Sequence, residues 1–205
     1  MKYKTANICL ALTGASGIQY ALRLLQCLID AGESVYMLVS QPAQIVIDME
    51  TDLKLPARPV DMQVFLTDYC NAEAGQIHVF GKEQWTAPVA SGSGAPRAMV
   101  VCPCTTGTLA AIACGSSNNL IERAADVVIK EQKKLIIVPR ESPFSVIHLE
   151  NMLKLARLGA VILPPNPGFY YRPESVDDVI DFVVARILDH LDIEHQLLPR
   201  WGIDE

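Results

Sequence analysis

The sequence predicts an α/β fold in which a mostly parallel sheet lies between two layers of helices. Short runs rich in β-branched and other apolar residues alternate with longer stretches of helical period, the pattern of a parallel sheet covered by helices. The chain has 205 residues and is 50% hydrophobic, which is enough for one domain with a large core and short for two. We therefore expect a single domain over residues 1–205, with a C-terminal tail from about residue 193.

Six short apolar runs are the predicted strands. Parallel strands end at the same edge of a sheet, so the residues that follow these runs should lie together and are the first place to look for a ligand site. In chain order the predicted strands are Asn7–Leu12, Ser34–Val39, Ile77–Phe80, Ala98–Val101, Leu135–Val138 and Ala160–Leu163.

Helical period and capping residues predict the helices between the strands. Gln19–Ala31 is closed by a glycine, and Asn119–Lys130 opens with an asparagine followed three residues later by glutamate, which resembles a capping box. Ser142 and Pro143 are expected to begin a helix that runs to about Leu158. The last helix has one apolar stripe from Val176 to Leu191. Thr86–Arg97 is predicted to be a mobile surface loop.

Charge and composition narrow the class of protein. A net charge of −6 argues against electrostatic binding to nucleic acid or anionic lipid, so an anion site must be built locally. No run approaches the roughly 20 apolar residues of a membrane span. The six cysteines show no disulfide framework, which suits a reducing cytoplasm, and the four histidines lack metal-ligand spacing. We expect a cytoplasmic protein without a metal.

The turn after the first strand is a candidate anion site. In Thr13–Gly17 two glycines permit a tight turn, and Ser16 is placed to cap the following helix, whose first N–H groups are open to an anion. The turn therefore predicts a phosphate or flavin-edge site. A strand-to-helix turn without a ligand is the alternative.

A nicotinamide dinucleotide enzyme is the rival interpretation of that turn. Dinucleotide sites place an acidic residue after the second strand to hold the ribose, but Ser40-Gln41-Pro42 stands there. Short-chain dehydrogenases also use a tyrosine followed four positions later by lysine, and none of the six tyrosines has that partner. The sequence favours a mononucleotide.

Two further strand ends carry polar residues. Cys102–Thr108 brings hydroxyls and backbone donors to a helix start, which suits a phosphate, while its two cysteines are read as small core residues. Arg140 can bind a phosphate with two hydrogen bonds, and Glu141 beside it can exchange a proton. A simple surface ion pair between the two is the alternative.

The sixth strand leads into a proline-rich aromatic loop, Pro164–Pro173. Its prolines restrict the backbone, so that Tyr170 can be held over a site; packing of the aromatics on the core is the alternative. Arg186 lies roughly 110° from the middle of the last helix's apolar stripe, so it is expected to flank the core rather than to face open water.

Five motifs in one order resemble the UbiX family of flavin prenyltransferases, from Ile8 to about Ile193. Each motif is weak alone, but the five together are highly specific. They are Thr13–Gly17, Cys102–Cys104 with Thr108–Ala113, Asn119–Asp126, Arg140-Glu141 and Ile147–Leu153.

This resemblance implies a Rossmann-like or flavodoxin-like three-layer sandwich and a homo-oligomer, usually a dodecamer. It implies transfer of a dimethylallyl group from dimethylallyl monophosphate to reduced FMN, with closure of a fourth ring. The prenylated FMN then serves a UbiD-type decarboxylase, as in ubiquinone synthesis.

The resemblance also implies roles for individual residues. Ser16 lies near the reacting flavin nitrogen, Glu141 is the proposed acid/base, and Glu50 also reaches the site. Many family members carry Ser-Met-Lys-Thr at positions 105–108, so this chain lacks that lysine and has Gly107 in its place. The prenyl phosphate is bound by Tyr170, Arg186, Arg123 and Lys130. The FMN-binding residues are Gly14, Ala15, Ser16, Ser40, Thr105, Thr106, Gly107, Thr108 and Arg140.

Two other flavin functions remain open on the sequence. An FMN-dependent decarboxylase of cysteine-type carboxylates is disfavoured because its Pro-Ala-Met-Asn signature is absent. A flavin carrier without catalytic activity would bind FMN but leave it unchanged.

Overall fold

A computed structural model describes residues 8–199 and residue 202. Within them six strands form one all-parallel sheet in the order β3-β2-β1-β4-β5-β6, the doubly wound order of a Rossmann-type fold. The predicted α/β class is confirmed. The strands are β1 Ile8–Leu12, β2 Val35–Val39, β3 Ile77–Phe80, β4 Ala98–Cys104, β5 Lys134–Pro139 and β6 Val161–Ile162.

Helices cover both faces of this sheet. One face carries α1, α2, α3 and α7, and the other carries α4, α5 and α6. The helices are α1 Ile18–Asp30, α2 Gln41–Glu50, α3 Pro59–Tyr69, α4 Thr106–Ala113, α5 Leu120–Lys130, α6 Val146–Arg157 and α7 Val176–His190.

The central strands are buried on both faces, which explains their unbroken apolar sequences. In β1, Ile8, Leu10 and Leu12 pack under one helical layer, while Cys9 and Ala11 pack under the other. A period of two is present in the packing but invisible in the sequence, because neither face of the strand meets water.

All six predicted strands are present, although Asn7 lies outside the described residues. The predicted start of α6 is wrong. The helix begins at Val146, because the Ser145 hydroxyl accepts the His148 N–H at 3.3 Å and the His148 ring accepts the Ser145 N–H at 3.2 Å. Ser142 and Pro143 lie before this reciprocal cap. The capping box was missed because histidine, rather than glutamate, completes it.

Two helices and one loop differ from the sequence-based expectation. No helix was predicted at α2 or α3, whose apolar stripes are short and leave Ile45, Val60 and Val64 exposed. The predicted surface loop Thr86–Arg97 contains two 3₁₀ turns and buries Val89 completely against α5. This segment is therefore part of the layer that α4, α5 and α6 form.

The last helix joins the C-terminal tail to the core. The Ser175 hydroxyl caps α7, and the Asp178 carboxylate accepts the Ser175 N–H at 2.9 Å. Pro199 lies in the tail that follows the helix, and its carbonyl accepts a hydrogen bond at 3.1 Å from the hydroxyl of Tyr171, which precedes the helix. The part of the predicted tail at residues 200, 201 and 203–205 lies outside the described residues. None of the described helices is both long and apolar enough to cross a membrane.

Truncating Leu24 is expected to lower the free energy of unfolding by about 3 kcal/mol. Leu24 is fully buried in α1, in the core layer that α1 shares with α7. Leu24→Ala leaves a cavity there, whereas Leu24→Met nearly conserves the volume and should cost under about 1.5 kcal/mol. Denaturant unfolding at a fixed protein concentration measures both. Equal losses for the two variants would contradict the cavity explanation.

Candidate functional site

A cavity lies at the carboxyl ends of the strands, beside the point where the strand order reverses between β1 and β4. Ligands of open α/β sheets bind at this point. The cavity has a volume of about 400 Å³ and is lined by Thr13, Gly14, Leu38, Val39, Ser40, Gln41, Pro42, Phe80, Gly81, Lys82, Thr105, Thr108, Asn119, Leu120 and Ile121.

Three helix N-termini meet at this cavity. The hydroxyl of Ser40 caps α2 and that of Thr105 caps α4, accepting the N–H of Ala43 at 3.2 Å and of Thr108 at 3.1 Å. The side-chain Oδ1 of Asn119 caps α5, as predicted, and accepts the Glu122 N–H at 3.0 Å. Each N-terminus carries a partial positive charge and N–H groups that no helical carbonyl can satisfy. At α5 the Leu120 N–H already donates to the Lys82 carbonyl at 2.8 Å, and the Glu122 carboxylate accepts the Asn118 N–H at 2.8 Å. The starts of α2 and α4 therefore make the site for an anion such as a phosphate.

Thr13 joins the two loops that frame the cavity. Its hydroxyl donates to the Pro103 carbonyl at 2.7 Å and accepts the Thr105 N–H at 2.8 Å. The residue is only 2% exposed, so water cannot replace these bonds. One buried hydroxyl therefore fixes the end of β1 to the start of α4.

Gly14 lets the first loop approach the start of α2. A methyl group at this position would overlap the Pro42 ring. The N-terminus of α2 can therefore lie directly against the loop that follows β1.

Glu50, at the end of α2, caps α1 from a distance of more than thirty residues in sequence. Its Oε2 accepts the Gly17 N–H at 2.9 Å and the Ile18 N–H at 3.2 Å, and the Ser16 hydroxyl also bonds to this carboxylate. The prediction that Ser16 caps α1 is wrong. Gly17 is the N-cap residue, with φ of 97° and no side-chain cap, because the Glu50 carboxylate already occupies the helix start.

The charge state of Glu50 follows from these contacts. Partial burial acts to raise the pKa of Glu50, but the hydrogen bonds from Ser16, Gly17 and Ile18, together with the positive charge of Arg140, outweigh it and lower the pKa. Glu50 is therefore a fixed anion at neutral pH. Arg140 is near enough to act on it electrostatically.

Arg140 and Glu141 follow β5 at the same edge of the sheet. The Arg140 N–H donates to the Cys104 carbonyl at 3.1 Å, which holds the end of β5 beside β4. Both side chains are exposed, and the Glu141 carboxylate accepts the Ser142 N–H at 3.1 Å. The described residues show no ion pair between Arg140 and Glu141, so the alternative of a surface ion pair is not supported.

Cys102 and Cys104, in the last part of β4, are fully buried as predicted. Burial raises the pKa of both thiols far above the usual range, so both stay protonated and weakly reactive.

The four residues predicted to bind the prenyl phosphate do not come together within one chain. Arg123 and Lys130 belong to α5 on one face of the sheet, and Arg186 belongs to α7 on the other. Arg123 donates to the Ala90 carbonyl at 3.0 Å and to Asp126 at 2.8 Å. Tyr170 is 78% exposed and does not line the cavity.

The expectation that Arg186 flanks the core is wrong. Its side chain is 53% exposed and donates to Asp189 one turn further along α7 at 2.5 Å, while Ala185 and Ile187 on either side of it are buried. The angle between Arg186 and the middle of the apolar stripe is thus wide enough to put this side chain on the polar side of α7.

The cavity thus contains some predicted FMN-binding residues and lacks others. Gly14, Ser40, Thr105 and Thr108 line it, while Ala15, Ser16, Thr106, Gly107 and Arg140 do not. Ser16 and Arg140 instead gather around Glu50. Lys82 and Asn119 also line the cavity but were not predicted to do so. The position of Lys82 two residues after a predicted strand was the available signal.

Comparison with known proteins agrees with this geometry. The flavoprotein family model matches residues 1–188. The flavin prenyltransferase UbiX of Pseudomonas aeruginosa is 64% identical over 196 residues, which cover 96% of this chain and 94% of the relative.

Two crystal structures extend the comparison. AnUbiX in complex with FMN and dimethylallyl pyrophosphate is 38% identical, has a TM-score of 0.84, and is matched over 95% of this chain and 96% of that one. A dodecameric FMN-dependent UbiX-like decarboxylase from Escherichia coli O157:H7 is also 38% identical, with a TM-score of 0.83 and coverage of 95% and 98%. The chain therefore belongs to the flavoprotein family and, within it, to the UbiX flavin prenyltransferases.

Proposed function

We propose that this chain is a metal-independent flavin prenyltransferase that joins a dimethylallyl group from dimethylallyl monophosphate to reduced FMN. The observation that carries the proposal is the cavity where three helix N-termini converge, with the Glu50 carboxylate capping the neighbouring helix. The first feature suits the phosphate of a mononucleotide. The second orients the Ser16 hydroxyl at the start of the neighbouring helix α1. The activity of the P. aeruginosa relative supports the same assignment.

The residues of the cavity fit FMN. The volume of about 400 Å³ falls in the range of small-molecule sites, roughly 300–1,000 Å³. The phosphate is assigned to the N-termini of α2 and α4, next to Ser40, Thr105 and Thr108. Gly107 cannot supply a side-chain contact, so Thr106 and Gly107 are assigned backbone N–H donation alone.

The flavin ring is assigned to the loop Gly14–Ser16 and to Arg140. Ser16 is oriented by its hydrogen bond to Glu50, so the hydroxyl has a defined direction before any ligand binds. Arg140 and Glu50 carry opposite charges at this end of the site, which lets the pair hold a polar ring edge without a large net charge.

When bound, reduced FMN supplies an electron-rich ring nitrogen and a neighbouring ring carbon, to which the two prenyl carbons become attached. The carbon–oxygen bond of dimethylallyl monophosphate breaks and inorganic phosphate leaves. Glu141 is assigned the movement of a proton during ring closure, because its exposed carboxylate directly follows Arg140 at the same strand end.

A homo-oligomer completes the prenyl-phosphate site. Arg123 and Lys130 lie on the opposite face of the sheet from Arg186, so we assign these cations and Tyr170 to sites shared between subunits. Cations can stabilise a leaving phosphate without magnesium. Exposed apolar side chains on α6, including Ile147, 67% exposed, support burial by another copy. The dodecameric E. coli neighbour supports a dodecamer.

The product, prenylated FMN, is proposed to serve a UbiD-type decarboxylase in the cytoplasm. The six cysteines are all free, in keeping with a reducing compartment. The product carries an added ring that this enzyme does not itself use, so a separate enzyme must receive it.

The direct test is the mass of the flavin after reaction. The purified protein is mixed with FMN and dimethylallyl monophosphate, reduced without oxygen, and the flavin is extracted and weighed by mass spectrometry. We expect a mass gain of one five-carbon prenyl unit. Recovery of bound but unmodified FMN would overturn the transferase assignment in favour of a carrier or a decarboxylase.

A further inference from the structure

The charge of the cavity lining is unlike that of the whole chain. The chain has 23 acidic and 17 basic residues, yet none of the aspartates and glutamates that the structure describes lines the cavity. Its lining includes one charged residue, Lys82. Because a carboxylate near a bound anion weakens its binding and a lysine strengthens it, this lining is selective for an anion.

The backbone fixes Lys82 at the edge of the cavity. Lys82 comes two residues after the end of β3, and its carbonyl accepts the N–H of Leu120, the first residue of α5, at 2.8 Å. The preceding Gly81 N–H donates to the Gln84 side chain at 3.2 Å. The stem of the side chain therefore starts beside one of the three helix N-termini.

Within residues 8–199 and residue 202, no carboxylate competes for the ammonium group of Lys82. Several basic side chains of this chain, such as Arg23 and Arg97, are ion-paired. Lys82 forms no ion pair with any residue in the described part of the chain. Its charge is thus available to a ligand.

We infer that Lys82 is the counter-ion of the FMN phosphate and makes this site select FMN over riboflavin, which lacks the phosphate. Helix N-termini supply only partial charges, so a full positive charge nearby strengthens the binding of a phosphate dianion at this place. The inference rests on the proposed function, because it assumes that the cavity binds the flavin phosphate.

The test compares two flavins on one variant. Lys82→Met keeps the length and apolar stem of the side chain and removes its charge. We expect FMN to bind about tenfold more weakly, as for the loss of one charge-assisted hydrogen bond, and riboflavin to bind with an affinity unchanged within about twofold. Fluorescence titration gives both dissociation constants. The dependence of FMN binding on salt should also become less steep.

Two further variants separate charge from folding. Lys54→Met removes another exposed lysine, which does not line the cavity, and should leave both dissociation constants unchanged. Gly107→Lys in the Lys82→Met background should restore FMN affinity, because a Cβ atom added at Gly107 meets no atom within 4 Å and the next residue lines the cavity.

The outcomes are distinct. Unchanged FMN affinity in Lys82→Met would overturn the role of Lys82 and leave the proposed function standing. An equal loss for FMN and riboflavin would also overturn it, because the lysine would then act on the shape of the site. If the unaltered protein binds neither flavin, the proposed function fails along with the inference.

Discussion

Glu50→Gln is expected to slow prenyl transfer by about 100-fold. The Gly17 and Ile18 N–H groups and the Ser16 hydroxyl converge on this carboxylate. A glutamine has the same shape, but its single carbonyl oxygen cannot accept every donor and its NH₂ group repels one of them. The Ser16 hydroxyl then loses its fixed direction, and Arg140 loses the charge that faces it.

Single-turnover rates from the mass of the extracted flavin measure this effect, with FMN affinity measured separately. Asp48→Asn is the matched control, since it neutralises an exposed carboxylate on the same helix α2 and should leave the rate unchanged. We expect FMN affinity to fall far less than the rate, because the phosphate is assigned to other residues. A normal rate in Glu50→Gln would remove Glu50 from the reacting end of the site.

The lowered pKa of Glu50 also predicts the direction of a pH effect. A carboxylate whose pKa is lower in the folded state stabilises the fold at pH values above the ordinary glutamate value, about 4.3, and this stabilisation is lost as the pH falls through the lowered pKa. The difference in stability between the unaltered protein and Glu50→Gln should therefore be constant near neutral pH and shrink below about pH 4. Acid unfolding curves of the two proteins show whether it does.

The sequence predicted the elements of the fold better than the contacts between them. Strand positions follow from short apolar runs, because a parallel strand buried on both faces has to be apolar throughout. The Asn119 cap of α5, which the sequence predicted, is likewise a local signal that acts within three residues. All of these depend on neighbours in sequence.

The predictions that were wrong concern contacts between residues far apart in sequence. Glu50 takes the cap of α1 that Ser16 was expected to provide, and nothing near Ser16 in sequence indicates a competing carboxylate 34 positions away. The family resemblance brought Glu50 into the site, but its contacts required the fold.

The separation of the prenyl-phosphate cations has a similar cause. Arg123 and Arg186 are single residues on amphipathic helices, and helical period shows which side of a helix meets water without showing which face of the sheet the helix covers. Only the topology places α5 and α7 on opposite faces.

Thr13→Val is expected to weaken FMN binding by about 10- to 100-fold and to lower the free energy of unfolding by about 1–3 kcal/mol. Valine has the shape of threonine without the hydroxyl. The Pro103 carbonyl keeps a second donor, the Thr13 N–H at 3.3 Å, so the group left unpaired is the Thr105 N–H. That N–H starts the loop that leads into α4, and its release lets this side of the phosphate site move away from β1.

Thr51→Val is a control with the same hydrogen bonding at a partly buried position. The Thr51 hydroxyl donates to the Ile47 carbonyl at 2.7 Å and accepts the Leu53 N–H at 3.1 Å. The same Ile47 carbonyl also accepts the Thr51 N–H at 3.0 Å. This repeats the bonding of Thr13 outside the cavity lining. We expect Thr51→Val to lose stability without losing FMN affinity, and Thr13→Ser, which restores the hydroxyl, to regain most of both. If Thr13→Val and Thr51→Val affect FMN binding equally, Thr13 contributes to folding alone and does not position the phosphate site.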